Sequence, residues 1–203
     1  LLPAQLILLE RSEPALYAID QELRSRLPDG VVLCPVLGSA TDHQLLKRVF
    51  ATQAVDLVFH AAAYKHVNIL ENNVFSAVKN NVLATFNICE LAIKNSCEMI
   101  FISTDKAANP ISILGYTKRC AEKVCELFNH KFNNKKQIKI VRFGNVFGSS
   151  GSAINNFLDK INSENPVEIT SKRASRYFMT VLEACHLVLQ TTTMNFKEKT
   201  FIL

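Results

Sequence analysis

Runs rich in Val, Ile, Leu and Phe alternate along this chain with amphipathic helical patterns, and that alternation constrains the fold more than any other feature. The apolar runs are Gln5 to Leu9, Val31 to Val36, Val55 to His60, Glu98 to Ser103, Gln137 to Phe143 and Thr200 to Leu203. Between them Glu13 to Arg26, Asp42 to Thr52, Val74 to Lys94, Leu114 to Asn129, Ala153 to Asn162 and Val181 to Thr192 carry apolar residues three and four apart. Strands that are apolar along their length, rather than at every second residue, belong to a parallel sheet covered on both faces. The expected fold class is therefore α/β, a doubly wound parallel sheet.

With 203 residues, 48% of them hydrophobic, the chain can bury one sizeable core. Its net charge of +5 is spread without a basic stripe, so no nucleic-acid partner is expected. The basic cluster from Lys131 to Lys139 reads as a solvated turn between a helix and a strand. Cysteines at 34, 89, 97, 120, 125 and 185 show neither a Cys-x-x-Cys pair nor a metal-type spacing with histidine. Reduced thiols and a cytoplasmic setting are expected, though the parent chain could be membrane-anchored. No run of about eighteen apolar residues occurs, so no membrane contact is expected from this segment.

The composition shifts after Gly144, where Gly-Asn-Val-Phe-Gly-Ser-Ser-Gly-Ser reads as a loop leaving the sheet. Residues 1–144 are expected to form a dinucleotide-binding, Rossmann-like domain. Residues 145–203, with the short segment Val167 to Thr170 and the helix from Val181, are expected to begin a small substrate-binding lobe. A dinucleotide fold normally opens with a strand, a glycine-rich turn and a helix. No Gly-x-Gly-x-x-Gly occurs here, so the first strand and its phosphate loop are expected to be missing from the sequence.

Phe101 to Lys118 carries the chemistry. An apolar strand ends in Thr104, Asp105 and Lys106, and the following helix bears Lys118. A hydroxyl, an acid and a base in one loop-helix unit at a strand's carboxyl end form a candidate catalytic cluster. The competing reading is a solvated surface ion pair.

Five segments in order raise a specific resemblance: His60-Ala-Ala-Ala-Tyr-Lys-His-Val67, Ser103-Thr-Asp-Lys-Ala-Ala-Asn-Pro110, Gly115-Tyr-Thr-Lys-Arg119, Val141-Arg-Phe-Gly-Asn-Val146 with Gly148-Ser-Ser-Gly-Ser152, and Arg176-Tyr-Phe-Met-Thr180. Together they resemble the inverting nucleotide-sugar 4,6-dehydratases, extended short-chain dehydrogenase/reductase enzymes of the polysaccharide biosynthesis protein family. The resemblance implies a UDP-N-acetylglucosamine substrate, a homo-oligomer and a bound nicotinamide that oxidises C4 and returns the hydride to C6 after water is lost. By it, Lys106 is the C5 base and Asp105 the acid for the C6 hydroxyl. Those roles need a neutral Lys106 and a protonated Asp105, states that partial burial would favour and a tight ion pair would oppose.

The resemblance also places Thr104 beside the C4 hydroxyl, where a strand-terminating backbone bond is the alternative. Lys118 would grip the nicotinamide ribose as the lysine of a Tyr-x-x-x-Lys pair, but Leu114 stands at the tyrosine position. Four residues turn a helix by about 400 degrees, so Leu114 shares the face of Lys118, whereas Tyr116 is turned away. Glu10 at a strand end favours the ribose diol of NAD, while Arg11 and Ser12 could instead receive the 2'-phosphate of NADP. Ala61, Ala62 and Ala63 would let the dinucleotide lie against the backbone, or simply pack tightly. Asn81 matches an asparagine that braces this region. Lys65, His66, Asn145 and Arg176 are candidates for the UDP-sugar, His66 being equally readable as a structural hydrogen-bonder. Lys172 and Arg173 read as solvated charges, and the loop from Ser149 to Ser152 is a further phosphate candidate. Two other functions fit parts of the pattern: a nucleotide-sugar 4-epimerase or reductase, and a non-catalytic nicotinamide-binding module.

Overall fold

The computed structural model describes residues 3–132, 138–148, 153–169, 171, 173, 175–194 and 200–203. Expectations resting on Gln137, Ser149 to Ser152, Thr170 and Lys172 lie outside them. The chain divides into two compact units, residues 1–54 and 55–203.

The first unit is a strand-helix-strand-helix run: β1 (Gln5–Glu10), α1 (Glu13–Arg24), β2 (Val32–Leu37) and α2 (His43–Thr52). β1 and β2 pair in parallel, Gln5 opposite Val32 through Glu10 opposite Leu37. Each helix starts where a side-chain oxygen satisfies an orphan amide, Ser12 accepting from Ala15 N and Asp42 from Leu45 N. The apolar face of α1 rests on Leu16.

The second unit holds a four-stranded parallel sheet in the order β3 (Leu57–His60), β4 (Glu98–Thr104), β5 (Ile138–Phe143), β8 (Thr200–Ile202). Met99, Ile100 and Phe101 of β4 are all fully buried, as are Ile138, Ile140 and Val141 of β5, so consecutive residues are covered on both faces. That is the packing the unbroken apolar runs require. Helices α5 (Ala84–Lys94) and α6 (Ile113–Phe132) contribute Cys89, Ala92, Ala121 and Cys125 to the core. The expected α/β parallel sheet is what forms.

Four departures from the sequence reading have physical causes. The helix expected over Val74 to Lys94 is α4 (Val74–Val78) and α5 joined by a π turn, Lys79–Leu83, which carries Asn81. A one-turn helix, α3 (Val67–Leu70), precedes it; Glu71 at its end accepts a hydrogen bond from Ile113 N and so fixes the start of α6. The segment after Gly144 is not simply a loop, because β6 (Asn145–Val146) pairs in parallel with β7 (Phe178–Met179). Helix α7 (Ala153–Asn162) lies between them in sequence, and α8 (Val181–Thr193) follows with a reciprocal Thr180/Glu183 cap.

The fourth is Lys139, expected among solvated charges. It lies buried in β5 and its Nζ donates to Thr191 O at 2.8 Å and Thr192 O at 3.0 Å, the last carbonyls of α8. A cation satisfying helix-end carbonyls needs no carboxylate partner. All six cysteines are free, and among the described residues no helix is long and apolar enough to cross a membrane.

Candidate active site

β4 ends in Thr104, whose hydroxyl caps a single 3-10 turn, Asp105–Ala107, by accepting from Lys106 N at 3.4 Å. The same hydroxyl donates to Asp105 Oδ1 at 2.8 Å, so Thr104 both ends the strand and holds the acid. Lys106 Nζ donates to Asp105 Oδ1 at 3.0 Å and to Asn145 Oδ1 at 3.5 Å. Asn145 reaches it because β5 lies parallel to β4 with Thr104 opposite Phe143, so both strands deliver their ends to one place. Four of the expected residues, Thr104, Asp105, Lys106 and Asn145, thus form one hydrogen-bonded group.

The ionisation of Asp105 is the reverse of what an acid role needs. Its side chain keeps 54% of its exposure and that of Lys106 38%. Burial acts to raise the Asp105 pKa, but the hydrogen bonds from Lys106 and Thr104 and the lysine charge outweigh it and hold the group below its ordinary value. Asp105 therefore rests as the carboxylate of a salt bridge with Lys106.

Lys118 lies at a different depth. It is buried on α6, donates from Nζ to Ile102 O at 2.7 Å and stands 4.7 Å from the centre of the Phe101 ring. Burial pulls its pKa down to about 8, with Cys125 and Glu122 pulling weakly the other way. α6 approaches the Asp105–Ala107 turn this closely because residue 115 is glycine: a Cβ there would meet Lys106 O at 2.7 Å. Leu114 is 6% exposed, packed with Leu70 and Ala77, while Tyr116 is 53% exposed, the division the helical geometry predicts. Tyr64, Val67 and Ile113 pack against the same cluster.

Asn81 sits in the π turn with every polar atom engaged. Its Oδ1 accepts from Tyr64 N at 2.8 Å, and its Nδ2 donates to Tyr64 O and to Thr117 Oγ1, each at 3.1 Å. It therefore braces the loop after β3 against the residue next to Lys118. Behind it, Thr85 donates to Asn81 O at 2.7 Å, which leaves its oxygen to accept from His60 Nε2 at 2.9 Å. Burial, aided by the Lys118 charge, drives the His60 pKa down to about 3, so the imidazole is neutral.

Ala61 and Ala62 are exposed and Ala63 half-buried on that braced loop, with Lys65 and His66 exposed beyond them. Small exposed side chains at one strand end and a buried amine at the next fit a dinucleotide lying across these ends. Arg176 is exposed, donating to Ser175 O at 2.7 Å, and Tyr177 O lies near Gly144. The structure does not hydrogen-bond Arg176, Lys65 or His66 to the Asp105 group. Glu10, Arg11 and Ser12 belong to the first unit, where Glu10 Oε1 accepts from Ser12 N at 2.8 Å and Arg11 is exposed.

Sequence reasoning passed over Glu122. Its carboxylate is buried on α6 and takes hydrogen bonds from Ser103, Arg119 and Arg142. The signal available was an acid four residues beyond Lys118, on the same helix face.

The sequence profile of the polysaccharide biosynthesis protein family matches residues 1–203. The chain is 39% identical over 202 residues to the capsular polysaccharide biosynthesis protein CapD of Staphylococcus aureus, covering 99% of this chain and 34% of that protein. It is 35% identical over 157 residues to an inverting UDP-N-acetylglucosamine 4,6-dehydratase of Campylobacter jejuni, covering 75% of this chain and 46% of that protein. Among solved structures, Pen from Bacillus thuringiensis superposes with a TM-score of 0.87 at 31% identity, covering 99% of this chain and 60% of that one. The chain spans about a third of the length of CapD and under half that of the dehydratase.

Proposed function

Because the chain belongs to the polysaccharide biosynthesis protein family, we propose that it acts as a nucleotide-sugar 4,6-dehydratase, converting UDP-N-acetylglucosamine to a UDP-4-keto-6-deoxy sugar for surface glycan synthesis. The observation that carries this reading is the Asp105 and Lys106 pair, a proton donor and acceptor 3.0 Å apart at the end of β4, close to where Lys118 meets the β4 backbone. Hydride transfer without water loss does not by itself require such a pair.

When bound, NAD supplies reversible oxidation at sugar C4, which acidifies the neighbouring C5 proton. Neutral Lys106 takes that proton, and Asp105 gives its own to the C6 oxygen, which leaves as water. That exchange turns an amine and a carboxylic acid into an ammonium and a carboxylate, the resting state of the pair. C5 is then protonated again from Lys106 Nζ, whose protons exchange with solvent, and Asp105 recovers the proton that the C4 hydroxyl released, so both groups return to their starting forms. Asn145 steadies Lys106, and Thr104 turns its hydroxyl to the C4 oxygen. Lys118 holds the nicotinamide ribose, with an amine whose pKa of about 8 suits a group easing loss of the C4 hydroxyl proton. Lys65, His66 and Arg176 hold the UDP-sugar. Glu10 selects NAD over NADP by repelling a 2'-phosphate. Residues 1–144 hold the cofactor and 145–203 begin the sugar lobe. The enzyme works in the cytoplasm as a homo-oligomer.

The test is turnover of UDP-N-acetylglucosamine by the full-length protein with catalytic NAD in deuterated water. Deuterium at C5 of a 4-keto-6-deoxy product, lost in Lys106→Ala, is the expected result. A C4 epimer formed without water loss would make the protein an epimerase.

A further inference from the structure

We propose that Glu122 is a positioning residue that holds the two strand ends of the site in register with α6. The inference deepens the dehydratase reading and rests on it for its kinetic part. Glu122 Oε1 accepts from Ser103 Oγ at 2.7 Å and from Arg142 Nε at 2.7 Å, while Oε2 accepts from Arg142 Nη2 at 2.6 Å and Arg119 Nη1 at 2.9 Å. Two donors on each oxygen fill the acceptor capacity of a carboxylate. Arg142 meets it as a two-pronged fork, which fixes direction as well as distance.

The anchor points are what make this arrangement more than a buried ion pair. Ser103 and Arg142 are opposite one another in the β4/β5 ladder. The next residues on β4 are Thr104, Asp105 and Lys106, and the next on β5 are Phe143, Gly144 and Asn145. Glu122 itself lies one turn beyond Lys118 on α6. One carboxylate therefore joins the three elements that carry the candidate site, on the two strands just before their functional residues begin and on α6 one turn after Lys118.

Stability alone does not account for it. Glu122 has a side-chain exposure of 1% and Arg142 13%. Removing two such charges from water costs nearly what their attraction returns, and apolar groups of the same volume often serve a fold as well. What apolar packing cannot supply is a fixed angle between strand ends and helix.

Two variants of the full-length protein separate positioning from folding. Glu122→Gln keeps the shape and removes the charge, and the double variant Glu122→Leu with Arg142→Met replaces the pair by apolar groups. The double variant is expected to melt close to the native protein, yet to lose about 10- to 100-fold in kcat with little change in KM, the scale on which a misplacement of about 1 Å acts. Amide hydrogen exchange, measured without substrate, is expected to quicken at residues 102–106 and 141–146 in both variants and nowhere else. Native kcat and native exchange at those strand ends in the folded double variant would overturn the proposal. So would exchange that rises uniformly while kcat per folded molecule stays native. If the unmutated protein dehydrates no nucleotide sugar, the dehydratase reading falls, and local exchange still decides whether Glu122 positions the strand ends.

Discussion

Replacing Lys118 by methionine is expected to make the fold more stable while ending its function. The folded protein holds this amine at a pKa of about 8 against an ordinary 10.5, chiefly through burial. At about 1.4 kcal/mol for each pH unit, the fold disfavours the ammonium by about 3 kcal/mol. Methionine removes that cost and fills a similar volume. It gives up the hydrogen bond to Ile102 O, about 1 kcal/mol, and the contact with the Phe101 ring, about 0.5 kcal/mol. The net gain at pH 7 is about 2 kcal/mol, a rise of about 4–8 °C in Tm.

The pH dependence carries the sharper signature. Below pH 8 both folded and unfolded chains hold the proton, so the penalty is complete. Between pH 8 and 10.5 the unfolded chain still binds the proton and the folded one does not, so native stability climbs with pH. Above 10.5 the penalty is gone. Urea unfolding from pH 7 to 10 should therefore show native and Lys118→Met curves converging as pH rises. A variant less stable than the native protein at pH 7, with parallel pH curves, would refute the claim that this lysine is held at the expense of the fold.

Lys139→Met should cost about 2–4 kcal/mol, because Thr191 O loses its charged donor in a buried place; thermal melting beside Lys47→Met, an exposed control expected to shift by less than about 0.5 kcal/mol, measures it. Ser96→Gly should stabilise by about 1 kcal/mol in the same assay, since Ser96 has φ 53° where Cys97 N bonds Ala92 O and Ser96 N bonds Ile93 O, the helix-ending arrangement that favours glycine. His60, held neutral with a pKa of about 3, should weaken the fold as pH falls from 6.5, by about 1.4 kcal/mol per unit, because the unfolded chain takes up a proton that the folded one refuses. Denaturant unfolding of His60→Gln should show a correspondingly flatter acid limb.

Periodicity made the main strands and helices legible, because unbroken apolar runs and amphipathic faces record burial within each element. The parts it hid depend on partners far along the chain. β6 exists because Asn145 and Val146 meet Phe178 and Met179, and two residues leave no periodic trace. The π turn is tied to Asn81 holding Tyr64 and Thr117, contacts invisible in a helical pattern. Within the site, Thr104 to Lys106 stood out as mixed chemistry at a strand end. Their protonation did not, because hydrogen bonds outweigh burial at Asp105, and that balance is set by geometry. Lys139 shows the same limit, a lysine among lysines whose role is set by where α8 ends.

The half-exposed setting of Asp105 and Lys106 bears directly on how the pair could work. Two opposite unit charges 3.0 Å apart attract by about 1.4 kcal/mol in water and by about 5.5 kcal/mol at the effective dielectric of a protein surface. Taking both ions out of water costs several kcal/mol for each, more than the added attraction returns. On the dehydratase reading, a sugar settling over the pair lowers the cost of moving one proton from Lys106 to Asp105, the step that produces the base and the acid together. A pair buried permanently would keep its neutral form and have no ion pair to return to after elimination, whereas one left in open water would never leave the charged form. Because the proton moves within the pair, the elimination step should be insensitive to bulk pH wherever the resting ion pair is intact. Depletion of the dehydration rate by a buffer too weakly acidic to protonate a free carboxylate would contradict that internal transfer.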